Sequence, residues 1–236
     1  MQLHPKPYTL YAMVITYEGA EFFKVQYGDV TLAFNPISKS SKLKGGRFGA
    51  DIVLVSANHP DFNGVDAVTF GEKKPFVISG PGEYEYKEVL VHGLPAMTKY
   101  GGEERSNTVY LISLEGINLC FLGALTSKDL PKDVVEAIEE VDVLFVPIGG
   151  LPAAQHSAQA GDGVLSATEA YELAVSLEPK LIIPMHFGSV GTKNALETFM
   201  KEGGGEKGAE KLDKLTLKKK DLEGKEGDIV LLKPSN

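Results

Sequence analysis

The sequence predicts an α/β fold with mixed sheets, rich in strands at first and then alternating between helices and strands. In the first half, short runs of β-branched and aromatic residues recur at roughly ten-residue spacing between Gly, Asn and Asp. In the second half, two segments with the helical spacing of apolar residues are each followed by a near-continuous apolar run, as in a strand covered on both faces. No Pro/Ser-rich linker divides the 236 residues, so we expect a single domain over 1–236.

The strands of the first half are separated by tight turns. Gly28-Asp29 and Glu115-Gly116 have hairpin chemistry, because Gly tolerates the positive φ angles that two-residue hairpin loops require. A meander of such strands buries one face and therefore needs a covering layer. We predict strands over residues 11–17, 22–27, 30–34, 51–55, 75–79, 88–92, 109–114 and 117–122.

The second half carries the predicted helices. Ser166 and Glu169 form a Ser-x-x-Glu capping box, which marks the start of a helix. The segment 201–228 holds eight Lys and eight Asp or Glu whose charges cancel, which is typical of a solvated loop with an edge strand. We predict helices near 131–139, 166–177 and 192–202, buried strands over 141–147 and 180–184, and a last strand over 228–232.

The charge of the chain limits its partners. With 24 basic and 32 acidic side chains the formal charge is −8, which argues against nucleic acid and anionic membranes as partners. No stretch approaches the ~20 apolar residues that span a bilayer, and the first residues lack the apolar core of a signal peptide. The one cysteine, Cys120, lies in an apolar run and is expected to be buried rather than reactive. These features predict a soluble, cytoplasmic protein.

Two of the five histidines, His59 and His186, stand where a predicted strand has just ended. Functional groups collect at such places, because the loops are held by a rigid sheet and remain open to solvent. His59-Pro60-Asp61 has a His-x-Asp spacing that can direct an imidazole and a carboxylate at one cation. A loop histidine with an Asx-type turn explains the same tripeptide, and both interpretations stay open.

Several segments in order along the chain carry a family resemblance. They are the strand and loop over 51–65, the glycine-rich turn over 76–84, the hairpin over 107–125, and the segments 141–150 and 177–186. Together they resemble the small ascorbate-phosphate-lactonase-like branch of the metallo-β-lactamase superfamily. The resemblance implies an αββα four-layer sandwich, an ancestry of Zn-dependent hydrolysis, and a homo-oligomer.

The resemblance also implies where metal ligands would lie. His59, Asp61 and His186 match ligands of the family's two-metal site, so they are the candidate metal residues. A catalytic zinc usually has three protein ligands and an open place for water, and neither half of the family site keeps three here. The sequence therefore predicts either no cofactor or one weakly bound divalent metal, with zinc as the first candidate. The remaining four ligand positions are occupied by Ala57, Phe62, Phe121 and Ala124.

Two further positions near the start of the chain depart from the family pattern. Gly19-Ala20-Glu21 and Phe34-Asn35-Pro36 replace a pocket histidine and an outer carboxylate. Glu21 and His156 are candidate substitute ligands. The three retained residues have three explanations: they hydrogen-bond one another and fix the loop, they hold a single metal weakly, or they persist by accident.

Three functions follow from these alternatives. The first is a metallo-β-lactamase-fold protein that has lost most metal ligands and acts as a non-catalytic binding or assembly homologue. The second is a hydrolase of an ester, lactone or phosphoester with one metal on His59, Asp61 and His186. The third is a purely structural oligomer subunit. The expected partner is a small molecule or a protein.

Overall fold

The computed structural model describes residues 11–151, 163–205 and 210–235. The described strands are β1 (Met13–Gly19), β2 (Phe22–Tyr27), β3 (Val30–Phe34), β4 (Ile52–Leu54), β5 (Phe76–Ile78), β6 (Gly82–Tyr86), β7 (Val89–Thr98), β8 (Arg105–Leu114), β9 (Ile117–Phe121), β10 (Val143–Pro147), β11 (Leu181–Met185), β12 (Leu215–Leu217) and β13 (Asp228–Ile229). The described α-helices are α1 (Lys132–Ala137), α2 (Ala167–Ser176) and α3 (Ala195–Glu202), with short 3-10 helices at Val65–Ala67, Tyr100–Gly102 and Lys219–Leu222.

The described strands form two mixed sheets. The six-stranded sheet has the order β12-β1-β2-β3-β4-β5, with antiparallel pairs up to β3 and parallel pairs from β3 to β5. The seven-stranded sheet has the order β13-β11-β10-β9-β8-β7-β6, antiparallel from β6 to β9 and parallel from β9 to β13. The predicted pair of mixed sheets is confirmed.

The main core lies between the two sheets. Phe34 from the six-stranded sheet packs against Phe121 and Phe145 from the seven-stranded sheet, with ring centroids 5.1 and 5.5 Å away. Cys120 is buried in the same core, as predicted, and its burial raises the pKa of the thiol to about 12. A thiol in this setting stays protonated and unreactive at neutral pH.

The outer faces are covered in different ways. On the seven-stranded sheet α2 packs against β10, and its start at Ser166 has the predicted capping box with Glu169. On the six-stranded sheet, Ala33 and Val53 point away from the main core and are covered by loop residues such as Ile37 and Val68. The described residues 11–131 contain short 3-10 helices but no α-helix, so this outer layer is thin. The sandwich fold implied by the resemblance is confirmed, and its described part contains few helices.

Strand β6 and the lengths of its neighbours differ from the prediction. The sequence around Gly80-Pro81-Gly82 predicts a turn, yet β6 begins at Gly82 and pairs with β7 along the edge of the seven-stranded sheet. Its alternating Glu residues are poor strand formers, and an edge strand tolerates them because one side faces solvent. β7 and β8 are ten residues each and continue beyond the predicted segments toward the turn at Tyr100.

No described helix is long and apolar enough to cross a membrane.

Candidate functional site

The site begins at the end of β11, where His186 adopts an unusual backbone conformation. Its φ is 60°, in the left-handed region that few residues other than Gly occupy. The backbone N–H of His186 donates to the carbonyl of Ala20 at 2.7 Å, in the turn between β1 and β2. The chain leaves no room beside it, because a Cβ on Gly149 would lie 2.1 Å from the His186 carbonyl oxygen. The His186 side chain is completely buried at this point.

A buried polar network fixes the His186 side chain. Its Nδ1 lies 3.1 Å from Glu21 Oε1, and both side chains have no exposed surface. The other oxygen of Glu21 accepts from Asn35 Nδ2 at 2.8 Å. Asn35 also donates to Ser56 Oγ, and its Oδ1 accepts from the Ser56 backbone N–H, both at 2.8 Å. Glu21 lies in the turn between β1 and β2, Asn35 follows β3, and Ser56 follows β4. The network therefore connects three loops of the six-stranded sheet to the end of β11.

The network leaves one nitrogen of His186 free. Nδ1 contacts the Glu21 carboxylate, and no polar group of the described residues hydrogen-bonds the buried Nε2. A carboxylate on Nδ1 is the arrangement by which proteins orient a histidine whose Nε2 acts on something else.

The second candidate pair lies in the loop after β4. A tight turn closed by the Phe62 N–H and the His59 carbonyl, 2.8 Å apart, presents His59 and Asp61 on the same side. Their closest charged atoms, Nδ1 and Oδ2, are 3.6 Å apart, and the Asp61 backbone N–H donates to His59 Nδ1 at 3.2 Å. The Asp61 carboxylate accepts from the hydroxyls of Ser41 and Tyr100, the latter at 2.8 Å.

Tyr100 connects the two parts of the site. Its ring centroid lies 4.9 Å from that of His59 and 5.3 Å from that of His186, with edge-to-face geometry in both cases. It also packs on Phe62 at 4.7 Å. The ring is part of a buried apolar cluster at the same place, made of Ala57, Phe62, Tyr100, Ala124 and Val164.

The outer side of His59 faces a cation. Its side chain is 22% exposed. Burial lowers the pKa of His59, Asp61 raises it, and the guanidinium of Arg105 lowers it further, with a net downward shift. Arg105 is held by the carbonyl of Asn58 at 2.9 Å and by the Glu103 carboxylate at 3.1 Å. His59 is thus biased toward its neutral form.

The three predicted metal residues meet through Tyr100. His59 and Asp61 are neighbours, while His186 joins them through contacts with the Tyr100 ring. In the parts of the chain that the structure describes, no group of three or more His, Cys, Asp or Glu side chains is arranged to hold a metal ion. The donor set therefore does not fit a resident metal in this conformation, and the ligand role of His59, Asp61 and His186 stays a prediction.

The other expected substitutions have definite positions. Ala57, Phe62 and Ala124 lie in the apolar cluster, whereas Phe121 belongs to the main core. Glu21 does contact His186, but through Nδ1 rather than as part of a ligand group. The other candidate substitute, His156, lies outside the described residues, as does most of the loop around it.

The sequence-based analysis missed the role of Tyr100. The tetrapeptide Lys99-Tyr100-Gly101-Gly102 has no ligand-like spacing and stands in a turn, so nothing marked its aromatic ring as part of the site. Two of the three retained residues bond each other, because the Asp61 N–H donates to His59 Nδ1, while the Asp61 carboxylate bonds Ser41 and Tyr100 and His186 contacts Glu21. The paired replacements near Ala20 and Asn35 were the one available signal for this network.

Comparisons with known proteins identify the family and the fold. Residues 14–186 match the family described as the beta-lactamase superfamily domain. The chain is similar to a candidate Zn-dependent hydrolase of the metallo-beta-lactamase superfamily from Thermotoga maritima, with 26% identity, TM-score 0.69, and 93% and 98% of the two chains covered. It is also similar to the metallo hydrolase Igni18 from Ignicoccus hospitalis, with 14% identity, TM-score 0.62, and 95% and 97% covered.

A third solved structure has a different chemistry. CmlA, a diiron β-hydroxylase from Streptomyces venezuelae, has 17% identity and a TM-score of 0.59, with 91% of this chain and 55% of that chain covered. At this identity the likeness concerns the fold alone. The match over 14–186 shows that the chain belongs to the beta-lactamase superfamily.

Proposed function

We propose that this member of the superfamily has lost the metal-dependent hydrolase site and acts as a non-catalytic binding or assembly protein. The observation that carries the proposal is the apolar cluster of Ala57, Phe62, Tyr100, Ala124 and Val164 beside the retained histidines. Three of these side chains stand where the family resemblance expects metal ligands.

The physical argument concerns water and charge. Metal-dependent hydrolysis needs a cation with firm ligands and an open coordination place for the water that becomes the nucleophile. Phe62 is fully buried and Tyr100 is 8% exposed, so their rings fill the region next to His59 and His186. Apolar walls in contact with these donors favour neither the charge of a cation nor the access of water.

The alternative function is a hydrolase of an ester, lactone or phosphoester with a single metal. The free Nε2 of His186 favours it, because Glu21 holds the ring as a ligand histidine is held. The candidate zinc enzyme from Thermotoga maritima also supports a metal. A direct assay separates the two functions.

The assay compares purified protein with added Zn²⁺ or Mn²⁺, with and without chelator, on phosphodiester, lactone and thioester substrates. The proposal predicts no turnover above buffer, and the same result for His186→Ala. A rate that falls both on chelation and in His186→Ala would replace the proposal with the single-metal hydrolase.

We propose that assembly involves a second copy of the chain, through the edge formed by β5 and β6. These are terminal strands of the two described sheets, and Phe76 of β5 stacks on Tyr86 of β6 with ring centroids 5.1 Å apart. Val77 and Leu90 beside them are also exposed. Exposed edge strands with apolar side chains are prone to pair with another chain.

Sedimentation analysis of Leu90→Lys tests this interface, with Val175→Lys on the exposed surface of α2 as the control. Only Leu90→Lys should form a smaller assembly than the unmodified chain.

We further propose a cytoplasmic location and partners other than nucleic acid. The formal charge of −8 disfavours phosphate backbones, and a single buried Cys120 allows no internal disulfide. Fractionation of cells that express the full-length chain tests the location, and a mobility-shift titration with duplex DNA and RNA tests the partners. Recovery in a membrane or secreted fraction, or salt-sensitive binding to nucleic acid, would contradict these proposals.

A further inference from the structure

We propose that the outer face of strands β6 to β9 binds a basic amphipathic helix of a partner protein. The site is a groove of about 440 Å³, lined in part by Leu90 and His92 of β7, whose neighbours Val89 and Val91 belong to the main core. This inference rests on the proposed function, because it names the partner class of a non-catalytic binding protein.

Two rows of side chains form the floor of this groove. His92 lies opposite Glu83 of β6 on one side and Leu111 of β8 on the other. Leu90, two residues before His92, lies opposite Ser113 of β8. Residues directly opposite each other, or two apart on one strand, project from the same face of a sheet. The five side chains therefore share one surface, in which two leucines lie among polar groups.

The walls of the groove have the separation that a helix needs. Ala137 at the end of α1 and the segment 139–141 form one wall, and the edge strand β6 borders the other side. Four adjacent strands span about 14 Å, and a helix with its side chains is about 10–12 Å wide. Leu90 is 53% exposed, so the groove is more open than a pocket that encloses a small molecule. The shape favours a helix that lies along the groove.

The charge of the groove selects a basic helix. Glu83, Glu139 and Glu140 are part of the lining, and the described residues that line the groove include no lysine or arginine. Glu140 bonds Lys180 at 2.9 Å, whereas Glu83 and Glu139 have no ion-pair partner in the described part of the chain. An apolar floor with acidic borders complements a helix that has leucines on one face and lysines or arginines beside them.

A second copy of this chain offers no such helix among its described residues. α1 carries two acidic side chains and one basic side chain, α2 carries two acidic side chains and no basic one, and α3 carries two acidic side chains and one basic side chain. Each of these helices is net acidic and would be repelled by the glutamates of the groove. The complementarity therefore points to a different protein.

The test measures the fluorescence anisotropy of a labelled helical peptide of leucine and lysine, with its leucines on one face, as the full chain is added. The unmodified chain should bind it with a micromolar Kd that weakens as NaCl is raised from about 50 to 500 mM. Glu83→Lys/Glu139→Lys should weaken binding by about 10-fold or more. Glu104→Lys/Glu226→Lys changes the net charge equally at exposed positions outside the groove lining, and should alter the affinity by less than about twofold.

A second pair of variants tests the apolar floor. Leu111→Gln should weaken peptide binding by about 5- to 10-fold, and it is preferred to a change at Leu90, which also lies at the edge proposed for self-assembly. Leu212→Gln is the matched control, since Leu212 is 39% exposed and lies outside the groove lining. Circular dichroism shows whether each variant folds. If Leu111→Gln does not fold, the charge-reversal variants decide alone.

The outcomes separate this inference from the proposed function. The docking site is overturned, and the non-catalytic function stands, if the unmodified chain does not bind the peptide or binds equally well a scrambled peptide whose leucines share no face. Equal affinities of the groove variants and their controls overturn it too. A smaller assembly of Leu111→Gln without peptide binding would mean that a second copy fills the groove, which also overturns the docking site. Metal-dependent hydrolysis by the unmodified chain, measured separately, overturns the proposed function whatever the peptide does.

Discussion

Two halves of the candidate site are built on opposite principles. On one side Glu21, Asn35, Ser56 and His186 form a buried network in which nearly every polar atom has a partner. On the other side, Phe62 packs in a cluster of buried apolar side chains. The two halves meet at the Tyr100 ring, which packs on Phe62 and on His186.

Under the proposed function, the difference teaches which parts of a metal site a fold can keep without the metal. Buried polar groups persist when they satisfy one another, because an unpaired polar group in the interior is costly. Ligands that would point at an absent cation have no such partners, so under this proposal apolar residues can stand in their positions at no cost in desolvation. Asp61 is intermediate, since neutral hydroxyls of Ser41 and Tyr100 serve it in place of a cation.

The largest expected effect comes from introducing metal ligands at the four positions where the family resemblance expects them. The combined variant Ala57→His, Phe62→His, Phe121→His and Ala124→Asp should raise zinc content from near zero to one or two ions per chain. It should also lower the free energy of unfolding without zinc by about 3–5 kcal/mol or more, because Phe62 and Phe121 are fully buried. Metal analysis and urea unfolding with and without Zn²⁺ measure both effects. A variant that folds and still takes up no zinc would show that the loops are not in the register assumed.

Next in size is the loss of a single ring from the apolar half. Phe62→Ala should cost about 3–5 kcal/mol of unfolding free energy, because the side chain is completely buried against Tyr100 and His59. Phe70→Ala is the matched control, since Phe70 is 69% exposed and should cost under about 0.5 kcal/mol. Equal costs for the two variants would mean that the apolar cluster does not stabilise the fold.

The polar half should respond more weakly and unequally. His186→Ala should cost about 1–3 kcal/mol, because it removes the buried partner of one Glu21 oxygen, while Asn35 bonds only the other. His59→Ala should cost under about 1 kcal/mol, because this side chain is partly exposed and its ring contacts are few. Thermal unfolding of both variants in parallel tests the difference. A larger loss of stability for His59→Ala would mean that the loop after β4 contributes more to stability than the network around His186.

A further prediction concerns Asp142, a buried carboxylate far from this site that is paired with lysines. Burial raises the pKa of Asp142, but hydrogen bonds from Lys180, Lys219 and the Asn118 N–H outweigh it and hold the pKa below its usual range. The unfolded chain therefore binds the proton first as pH falls, so the stability from Asp142 is present above about pH 3.9 and is lost as the pH drops through the lower folded-state value.

Asp142→Asn tests this sign. At pH 7 it should lower the free energy of unfolding by about 1 kcal/mol, since the two lysines are partly exposed. The difference from the unmodified chain should shrink as the pH is lowered below about 3.9. Asp66→Asn, which removes the exposed ion pair with Lys39, should have almost no effect at any pH. A difference that grows in acid would reverse the assignment.

The sequence could predict the sheets, and that His59 and His186 follow strand ends, because these features depend on local patterns. Alternating and continuous apolar runs gave most strands, the capping box gave the start of α2, and strand ends gave His59 and His186. Strand β6 was missed because its Glu-rich pattern is tolerated only at an edge. Tyr100 could not be predicted, since its role depends on a turn between β7 and β8 placing one ring against three residues from distant loops.

The central claim is that apolar side chains stand where metal ligands are expected, so that this site holds no cation. Its most direct test is the metal content of unmodified, chelator-free protein, expressed with zinc in the medium and analysed by mass spectrometry of the elements. The account predicts far less than one transition-metal ion per chain, and no rise in melting temperature on adding Zn²⁺. One tightly held ion per chain, lost in His186→Ala, would contradict it.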